Sequence, residues 1–306
     1  MGAGALGGYF GGRLLEAGRD VTFLVRPRRA VELQRTGLVI TSQYGDVRLV
    51  QPPHVVAGAI AGPFDVIVVA CKAYDLPATM ESLAPAVGPD TAILPLLNGM
   101  RHLDMLAERF GPSHVLGGAC MISAVLGPDG EVLHLNDIHR LVVGEQNRSR
   151  SERVAAIAAA FSGAKAELVV SDYILHAMWE KWAFISSLAG ITSLMRASVG
   201  DIVSAGGAGT ALALLAECTD IVAAHGFVLR DESLEQGRSV VSAQGSALKA
   251  SMLRDIERGA PTEADHILGD LLDRGAAHGR SAPLLRAAYT HVKAYELGRA
   301  RNAANA

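Results

Sequence analysis

A glycine-rich turn at the start of the chain limits what its first half can fold into. The opening MGAGALGGYFGGRLLEAG places three glycines in a G-x-G-x-x-G pattern, followed by a helical stretch that ends near Gly18. In such a turn, glycines permit a tight bend, close approach of the backbone to a pyrophosphate, and close helix–strand packing. The helix N-terminus then offers N–H groups to the anion. The pattern predicts a dinucleotide-binding turn, with contacts from Gly2, Gly4, Ala5, Leu6 and Gly7.

The strand that should lead into this turn is missing from the sequence as given. In a doubly wound sheet that first strand is central, so its loss would leave two neighbouring strands unpaired. We therefore hypothesise that the sequence starts late, with Met1 standing where the last residue of the strand belongs. An in-frame stop codon directly upstream of Met1 would contradict this hypothesis.

Short apolar runs alternate with helical stretches as far as about Glu145. Runs bounded by Gly, Pro or Asp are typical of strands buried on both faces of a parallel sheet, as in DVTFLVR, FDVIVVACKA, TAILPLLNG and HVLGGACMISAV. The segment LVITSQYGDVRLVQPPHV has a Tyr-Gly-Asp turn between alternating halves, which predicts an appended hairpin. The first half is therefore predicted to be an α/β, Rossmann-like domain.

The second half has a different pattern. Beyond about Tyr173 there is almost no strand signal, and Ala/Leu-rich segments with a 3.6-residue period follow one another. We predict an all-α domain here. The expected division is a dinucleotide-binding domain at 1–168 and a helical substrate domain at 169–306.

Composition excludes several classes of protein. Half of the 306 residues are hydrophobic, which allows a sizeable core, and a net charge of -3 gives no reason to expect nucleic acid or an anionic membrane as partner. The apolar runs are too short to cross a bilayer. The scattered Cys71, Cys120 and Cys218 indicate buried thiols in a reducing compartment without a metal site, so a cytoplasmic protein is expected.

The strand that begins at Asp20 ends in Arg26 instead of the acidic residue that binds an NAD ribose. A planar guanidinium suits the additional phosphate of NADP, and Arg28 or Arg29 could assist. The alternative is a solvated basic loop. The position favours NADP(H) as cofactor.

Four later segments make the chain resemble the ketopantoate reductase (2-dehydropantoate 2-reductase) family over essentially its whole length. They are VVACKAYDL, LPLLNGM, MWEKWAFISSLAGITSL and ASMLRDIERGAPTEADHILGDLL. The resemblance implies a Rossmann domain joined to a helical domain, with NADPH reducing a small 2-oxo acid, ketopantoate, in the cleft between them. A homodimer is compatible with the resemblance.

Lys181 begins a long uncharged stretch, since the next charged residue is Arg196. Burying a lysine beside Trp179 and Trp182 is costly unless it has a partner or a task, although its stem could instead carry the amine to solvent. By resemblance, Lys181 contacts the substrate and is the general acid. Its ammonium would stabilise the oxyanion that forms as hydride reaches the 2-oxo carbon, and would protonate it.

Glu263 follows Thr262, which has the character of a helix N-cap, so an acidic residue in this first turn is explained by the helix dipole alone. By resemblance, however, Glu263 is the second catalytic residue and holds the substrate hydroxyl. Ser251, twelve residues earlier, matches the family serine that binds the substrate carboxylate.

Asn98 and Lys72 follow predicted strands, where ligands bind in this class of fold. Each has a simpler explanation, a turn asparagine and a loop lysine. By resemblance, Asn98 contacts both substrate and nicotinamide, and Lys72 contacts the cofactor. Nearby histidines lack metal-ligand spacing and are expected to be ordinary surface or core residues, namely His102, His176 and His266.

The chain departs from the family pattern at two positions. Family members carry asparagines four and eight residues after the lysine, on one helix face, and here these positions are Ile185 and Ala189. Loss of two amides from a pocket for polar groups changes specificity, so the substrate could be a more apolar 2-oxo acid. Ser186, Ser187 and Thr192 are candidates to compensate.

Two alternative functions stay open at this point. One is a dehydrogenase of the 3-hydroxy acid or 6-phosphogluconate type, although Ile185 occupies the position where those enzymes carry asparagine. The other is a non-catalytic NADP(H)-binding sensor, against which the presence of both Lys181 and Glu263 argues.

Overall fold

A computed structural model describes residues 2–304 of the chain. The chain forms two compact units. The first contains the residues up to Leu97 together with His102–Leu175, and the second contains Asn98–Arg101 together with the residues from His176 onward. The short Asn98–Arg101 segment therefore belongs to the helical unit, although it lies in the first half of the sequence.

The first unit alternates helices and strands, as the apolar pattern predicts. Its helices are α1 (Ala5–Glu16), α2 (Pro27–Thr36), α3 (Leu76–Leu83), α4 (Arg101–Phe110, whose first residue belongs to the second unit) and α5 (Glu152–Phe161). Its strands are β1 (Phe23–Val25), β2 (Leu38–Thr41), β3 (Val47–Leu49), β4 (His54–Val56), β5 (Val66–Val69), β6 (Ala92–Pro95), β7 (Gly117–Leu126), β8 (Val132–Gly144) and β9 (Glu167–Val170).

Two separate parallel pairs of strands follow helix α1 in this unit. Strand β1 pairs with β4, and β5 pairs with β6. Within residues 2–304, no strand joins these two pairs. On the β1 side, the Gly2 N–H donates a hydrogen bond to the Leu24 carbonyl over 2.8 Å.

A mixed sheet in the order β3-β2-β8-β7, with β9 on β8, completes the first unit. The hairpin expected around Tyr44-Gly45-Asp46 is confirmed, since β2 and β3 are antiparallel and Gly45 has φ of 100°. The expectation for HVLGGACMISAV was wrong in part. Its strand β7 pairs antiparallel with β8, and parallel pairing with β6 is limited to the bridge between Ile93 and Val115. An apolar run indicates that a strand is buried, but it does not show whether the neighbouring strand runs parallel or antiparallel to it.

Helix α1 packs closely on the strands because one of its faces consists of glycines. A Cβ added at Gly8, Gly11 or Gly12 would lie within 3 Å of side-chain atoms of Val132, Phe23 or Ile40, respectively. The helix ends at Glu16, close to the predicted end, and Gly18 turns the chain with φ of 74°.

The second unit is helical, as predicted. It contains most of α6 (Ile174–Met195), followed by α7 (Val199–Ser204), α8 (Ala208–Ala224), α9 (Asp231–Val241), α10 (Ser251–Glu257), a π-helical turn at Asp265–Gly269, α11 (Asp270–Ala277) and α12 (Pro283–Ala304). The π-helical turn was not predicted, because five residues of wider helix leave the apolar spacing almost unchanged.

Other expectations concern the whole chain. Cys120 and Cys218 are buried, Cys71 is half-buried, and none of the three forms a disulfide. Burial in apolar surroundings raises the pKa of Cys218. Residues 2–304 include no helix with both the length and the apolar character needed to cross a membrane. The same residues contain no group of three or more His, Cys, Asp or Glu side chains that could hold a metal ion.

Candidate active site

The glycine turn leaves an open N-terminus on α1. Gly4 is the N-cap residue with extended backbone, no side chain caps the helix, and the first turn carries no acidic residue. Gly2 has φ of 76°, and a Cβ added at Gly2 or Gly4 would meet nothing within 4 Å. There is therefore open space beside the backbone of Gly2 and Gly4, directly before the first turn of α1. This cradle fits the pyrophosphate of a dinucleotide.

Arg26 lies directly after β1, where Pro27 begins α2. Its side chain is 72% exposed, and its Nη2 lies 2.6 Å from Oδ1 of Asp75. The two other candidates differ from it. Arg29 donates hydrogen bonds to the carbonyls of Ala3 and Gly130, so its guanidinium serves the fold, and the exposed Arg28 pairs with Glu32.

Lys72 and Asn98 each follow a strand of the β5–β6 pair in the chain. Lys72 is half-buried and precedes a short 3₁₀ turn, Ala73–Asp75, whose last N–H bonds the Lys72 carbonyl. Asn98, also half-buried, comes three residues after β6 and belongs to the second unit.

Lys181 is half-buried on α6, between buried neighbours. Trp179 stacks on Phe227 with 5.2 Å between ring centroids, and Trp182 is fully buried. Glu180, only 5% exposed, binds the guanidinium and the backbone N–H of Arg230. Burial works against ionisation of Glu180, but these hydrogen bonds outweigh it and lower the pKa of the carboxyl. The turn of α6 that carries Lys181 is thus fixed from both sides.

Glu263 is 8% exposed and lies at the start of the helical segment that leads into the π-helical turn. Its carbonyl accepts from the Ile267 N–H at 2.9 Å, which places Glu263 at the helix boundary instead of inside the first turn as predicted. Thr262 does cap this helix, since its Oγ1 accepts from the Ala264 N–H. The same hydroxyl donates to Glu296 of α12.

Helix α12 holds this segment at a second point. Lys293 donates to Asp265 at 2.9 Å and to Glu296 at 2.7 Å, and the Tyr289 hydroxyl donates to Asp265 at 2.7 Å. Burial of Lys293 opposes its charged form, but the two carboxylates dominate and raise its pKa. These hydrogen bonds tie the segment after Glu263 to α12.

The π-helical turn joins the Glu263 segment to α6. The carbonyl of Ile267 accepts from Nε1 of Trp182 at 2.9 Å and from Oγ of Ser186 at 3.2 Å. Because Trp182 directly follows Lys181, this bond fixes the spacing between the lysine and the glutamate segments. No sequence pattern predicts this contact.

The Asn98–Gly99 turn packs on the same segment. Gly99 has φ of 81°, and a Cβ there would lie 2.9 Å from the carbonyl oxygen of His266. The His266 imidazole hydrogen-bonds the Asn98 backbone. Three of the sequence-predicted site residues, Asn98, Lys181 and Glu263, are thus on connected segments of one unit. Ser251 is the exposed first residue of α10 in that unit.

Comparison with known proteins assigns the family. The family model described as "Ketopantoate reductase PanE/ApbA" matches residues 1–148, and its C-terminal counterpart matches residues 173–296. The chain belongs to the ketopantoate reductase family. It is accordingly an NADP-dependent oxidoreductase with a Rossmann-like domain and a helical domain.

Individual relatives of this ketopantoate reductase family member extend over the full length. An uncharacterized oxidoreductase of Bacillus subtilis, YkpB, is 40% identical over 97% of each chain. A 2-dehydropantoate 2-reductase of Halobacterium salinarum is 27% identical over 94% of each chain. The crystal structure of a 2-dehydropantoate 2-reductase from Geobacter metallireducens has a TM-score of 0.88, with 29% identity over 96% of this chain and 97% of that one.

The structure shows the burial of the two α6 residues that stand where asparagines were expected. Ile185 is half-buried and Ala189 is buried on α6. The hydroxyls that could have replaced the missing amides already donate to backbone carbonyls: Ser186 to Ile267, Ser187 to Phe184 and Thr192 to Leu188. The side chains that follow Lys181 at four and eight positions along α6 are thus both apolar.

Proposed function

We propose that the protein reduces a 2-oxo acid to the 2-hydroxy acid with NADPH, in the simplest case 2-dehydropantoate to pantoate in pantothenate biosynthesis. The observation that carries the proposal is the linkage within the helical unit. Asn98, Lys181 and Glu263 lie on segments joined by the Trp182–Ile267 hydrogen bond and by the packing of Gly99 on His266.

Lys181 and Glu263 divide the chemistry between them. NADPH, when bound, supplies the hydride to the 2-oxo carbon. The Lys181 ammonium stabilises the charge that develops on the oxygen and transfers a proton to it, after which the amine regains a proton from solvent. The Glu263 carboxylate accepts a hydrogen bond from a hydroxyl of the substrate and so fixes its orientation.

The remaining proposed site residues bind the substrate or the cofactor. Ser251 donates its hydroxyl to the substrate carboxylate, and Asn98 bonds the substrate and the nicotinamide end of the cofactor. In the first unit, the turn from Gly2 to Gly7 holds the pyrophosphate, Lys72 contacts the cofactor, and Arg26 binds the 2′-phosphate, which a guanidinium can do in bidentate fashion. The proposal that Arg26 has this role is supported by its exposure at the end of β1.

The apolar face of α6 supports a refinement of the substrate. With Ile185 and Ala189 in place of amides, the pocket has fewer groups for a polar substrate, which favours a branched 2-oxo acid that is more apolar than ketopantoate. We further propose a cytoplasmic location, supported by three cysteines that form no disulfide, and a homodimer as the assembly to be tested by light scattering.

A substrate panel tests the proposal. The purified chain is mixed with NADPH and either ketopantoate or one of several branched 2-oxo acids, and the loss of NADPH absorbance is followed. Turnover of at least one 2-oxo acid is expected. Tight NADPH binding without turnover of any of them would favour a non-catalytic sensor, and oxidation of 3-hydroxy acids with NADP⁺ would favour the related dehydrogenases.

A further inference from the structure

His266 is a buried histidine to which the proposed chemistry assigns no role. It is 6% exposed and lies in the π-helical turn, three residues after Glu263. From sequence it is expected to be an ordinary core or surface histidine. Its surroundings are not ordinary. It lies on the same segment as Glu263 and contacts the turn that carries Asn98, and both of these residues are proposed substrate ligands.

The first contact is with the Asn98–Gly99 turn. The imidazole hydrogen-bonds the Asn98 backbone. A Cβ at Gly99 would lie 3.0 Å from Cδ2 and 3.4 Å from Nε2 of His266, so only a glycine permits this approach. Gly99 also has a positive φ of 81°, which favours glycine independently. The turn and the imidazole therefore fit each other closely.

The second relationship is electrostatic. Glu263 and Asp270 on its own segment, and Arg101 from the Asn98–Arg101 segment, are the charged groups that act on His266. Arg274, 3.1 Å from Asp270, partly neutralises that carboxylate. Burial lowers the pKa of His266, and the two carboxylates oppose this shift only in part. The imidazole is therefore neutral near pH 7, with one nitrogen that donates and one that accepts.

The π-helical turn gives His266 this orientation. Adjacent residues of the turn contact different elements, since His266 contacts the Asn98–Gly99 turn while the Ile267 carbonyl accepts from Trp182 and Ser186 of α6. Wider turns of this kind occur often at functional sites. The turn is thus a junction between the segments that carry Asn98, Lys181 and Glu263.

We propose that His266 is a positioning residue of the reductase. Its imidazole fixes the Asn98–Gly99 turn relative to the Glu263 segment, so that both substrate ligands keep one spacing. The inference rests on the proposed function, because Asn98 and Glu263 are substrate ligands only within it. His266 itself exchanges no proton with the substrate.

The test compares His266→Leu, which removes the hydrogen bond, with His266→Gln, which keeps a side chain that donates and accepts. In the Leu variant, kcat/KM for the 2-oxo acid should fall about 10- to 100-fold, as expected when substrate ligands are displaced by a fraction of an ångström. The Kd of NADPH, measured by fluorescence, should change far less than kcat/KM, because Asn98 is only one of the proposed cofactor contacts, and the Gln variant should regain most of the activity. His102→Leu makes the same change at a buried histidine of the first unit and should retain kcat/KM.

Each outcome decides one question. Turnover by His266→Leu at the wild-type level would overturn the positioning role and leave the proposed function intact, whereas a wild-type chain without turnover overturns both. An equal loss in the Leu and Gln variants, with NADPH binding also lost, indicates general damage to the fold and contradicts the proposal. If the Leu variant does not fold, Gly99→Ala disturbs the same contact from the other side. It should show the same loss of kcat/KM with a much smaller change in NADPH binding, and wild-type kcat/KM in that variant would overturn the proposal.

Discussion

The guanidinium of Arg26 and the carboxylate of Asp75 form an ion pair with 2.6 Å between Nη2 and Oδ1. The two residues come from the ends of different elements, Arg26 after β1 and Asp75 from the 3₁₀ turn that follows Lys72. A 2′-phosphate that binds Arg26 has to compete with this carboxylate. An acidic side chain at this place can also accept a hydrogen bond from the ribose hydroxyl of NADH.

Removal of the Asp75 charge should strengthen the preference for NADPH. In Asp75→Asn, the Kd of NADPH should fall about 2- to 5-fold, which corresponds to an exposed ion pair of below about 1 kcal/mol, while the Kd of NADH should stay constant or rise. Titration by fluorescence at low and high salt measures both. A constant NADPH affinity at low salt would contradict any influence of Asp75 on the phosphate site.

Arg26→Ala should have the opposite effect. Loss of one or two charge-assisted hydrogen bonds to the phosphate should raise the Kd of NADPH about 10- to 100-fold and leave that of NADH nearly constant. Arg28→Ala is the matched control, because Arg28 is more exposed and pairs only with Glu32. Equal losses for both cofactors would mean that Arg26 does not contact the phosphate.

The Glu180–Arg230 pair should govern stability at low pH. Arg230→Ala removes the 67% exposed guanidinium but keeps the backbone N–H that also donates to Glu180, so the free energy of unfolding should fall by about 1 to 2 kcal/mol, as measured by urea denaturation. Because the pKa of Glu180 is lowered in the folded chain, its contribution is present above the unfolded pKa and is lost as pH falls through the folded one. The difference between wild type and variant should therefore shrink below about pH 4.3. A difference that does not depend on pH would contradict this assignment.

An amide at position 185 should shift specificity. Ile185→Asn restores a donor and an acceptor at a half-buried site on the Lys181 face of α6, so kcat/KM for ketopantoate should rise about 10-fold or more relative to that for an apolar 2-oxo acid. Steady-state kinetics with both substrates measures the ratio, and Ile185→Val controls for the loss of volume. No change in the ratio would mean that residue 185 does not face the substrate.

Much of the architecture was predictable because it depends on local patterns. Apolar runs gave the positions of β1, β5 and β6, and the 3.6-residue period gave the helical second half. The direction of β7 was not predictable, since a strand buried at one end can pair in either direction. Arg29 could not be separated from Arg26, because its role is decided by the carbonyl of Gly130, about one hundred positions away in the chain.

Residues of the candidate site were predictable only where they lie in a motif that resembles a known family. Lys181, Glu263, Ser251 and Asn98 were identified by resemblance to a family, not by periodicity. No role was predicted for His266, because a single histidine on an apolar helix face is usually a core residue and nothing local marks a π-helical turn. A positive φ at Gly99 and its packing on His266 became visible only in three dimensions.

The most direct test of the account is the rate of NADPH oxidation in a single turnover with the best 2-oxo acid of the panel, measured for wild type and Lys181→Ala. If Lys181 is the general acid, the rate should fall by about 10²- to 10⁴-fold while NADPH affinity is preserved. Lys165→Ala, at an exposed lysine of the first unit, should react at the wild-type rate. A Lys181→Ala variant that reduces the substrate as fast as wild type would contradict the central claim.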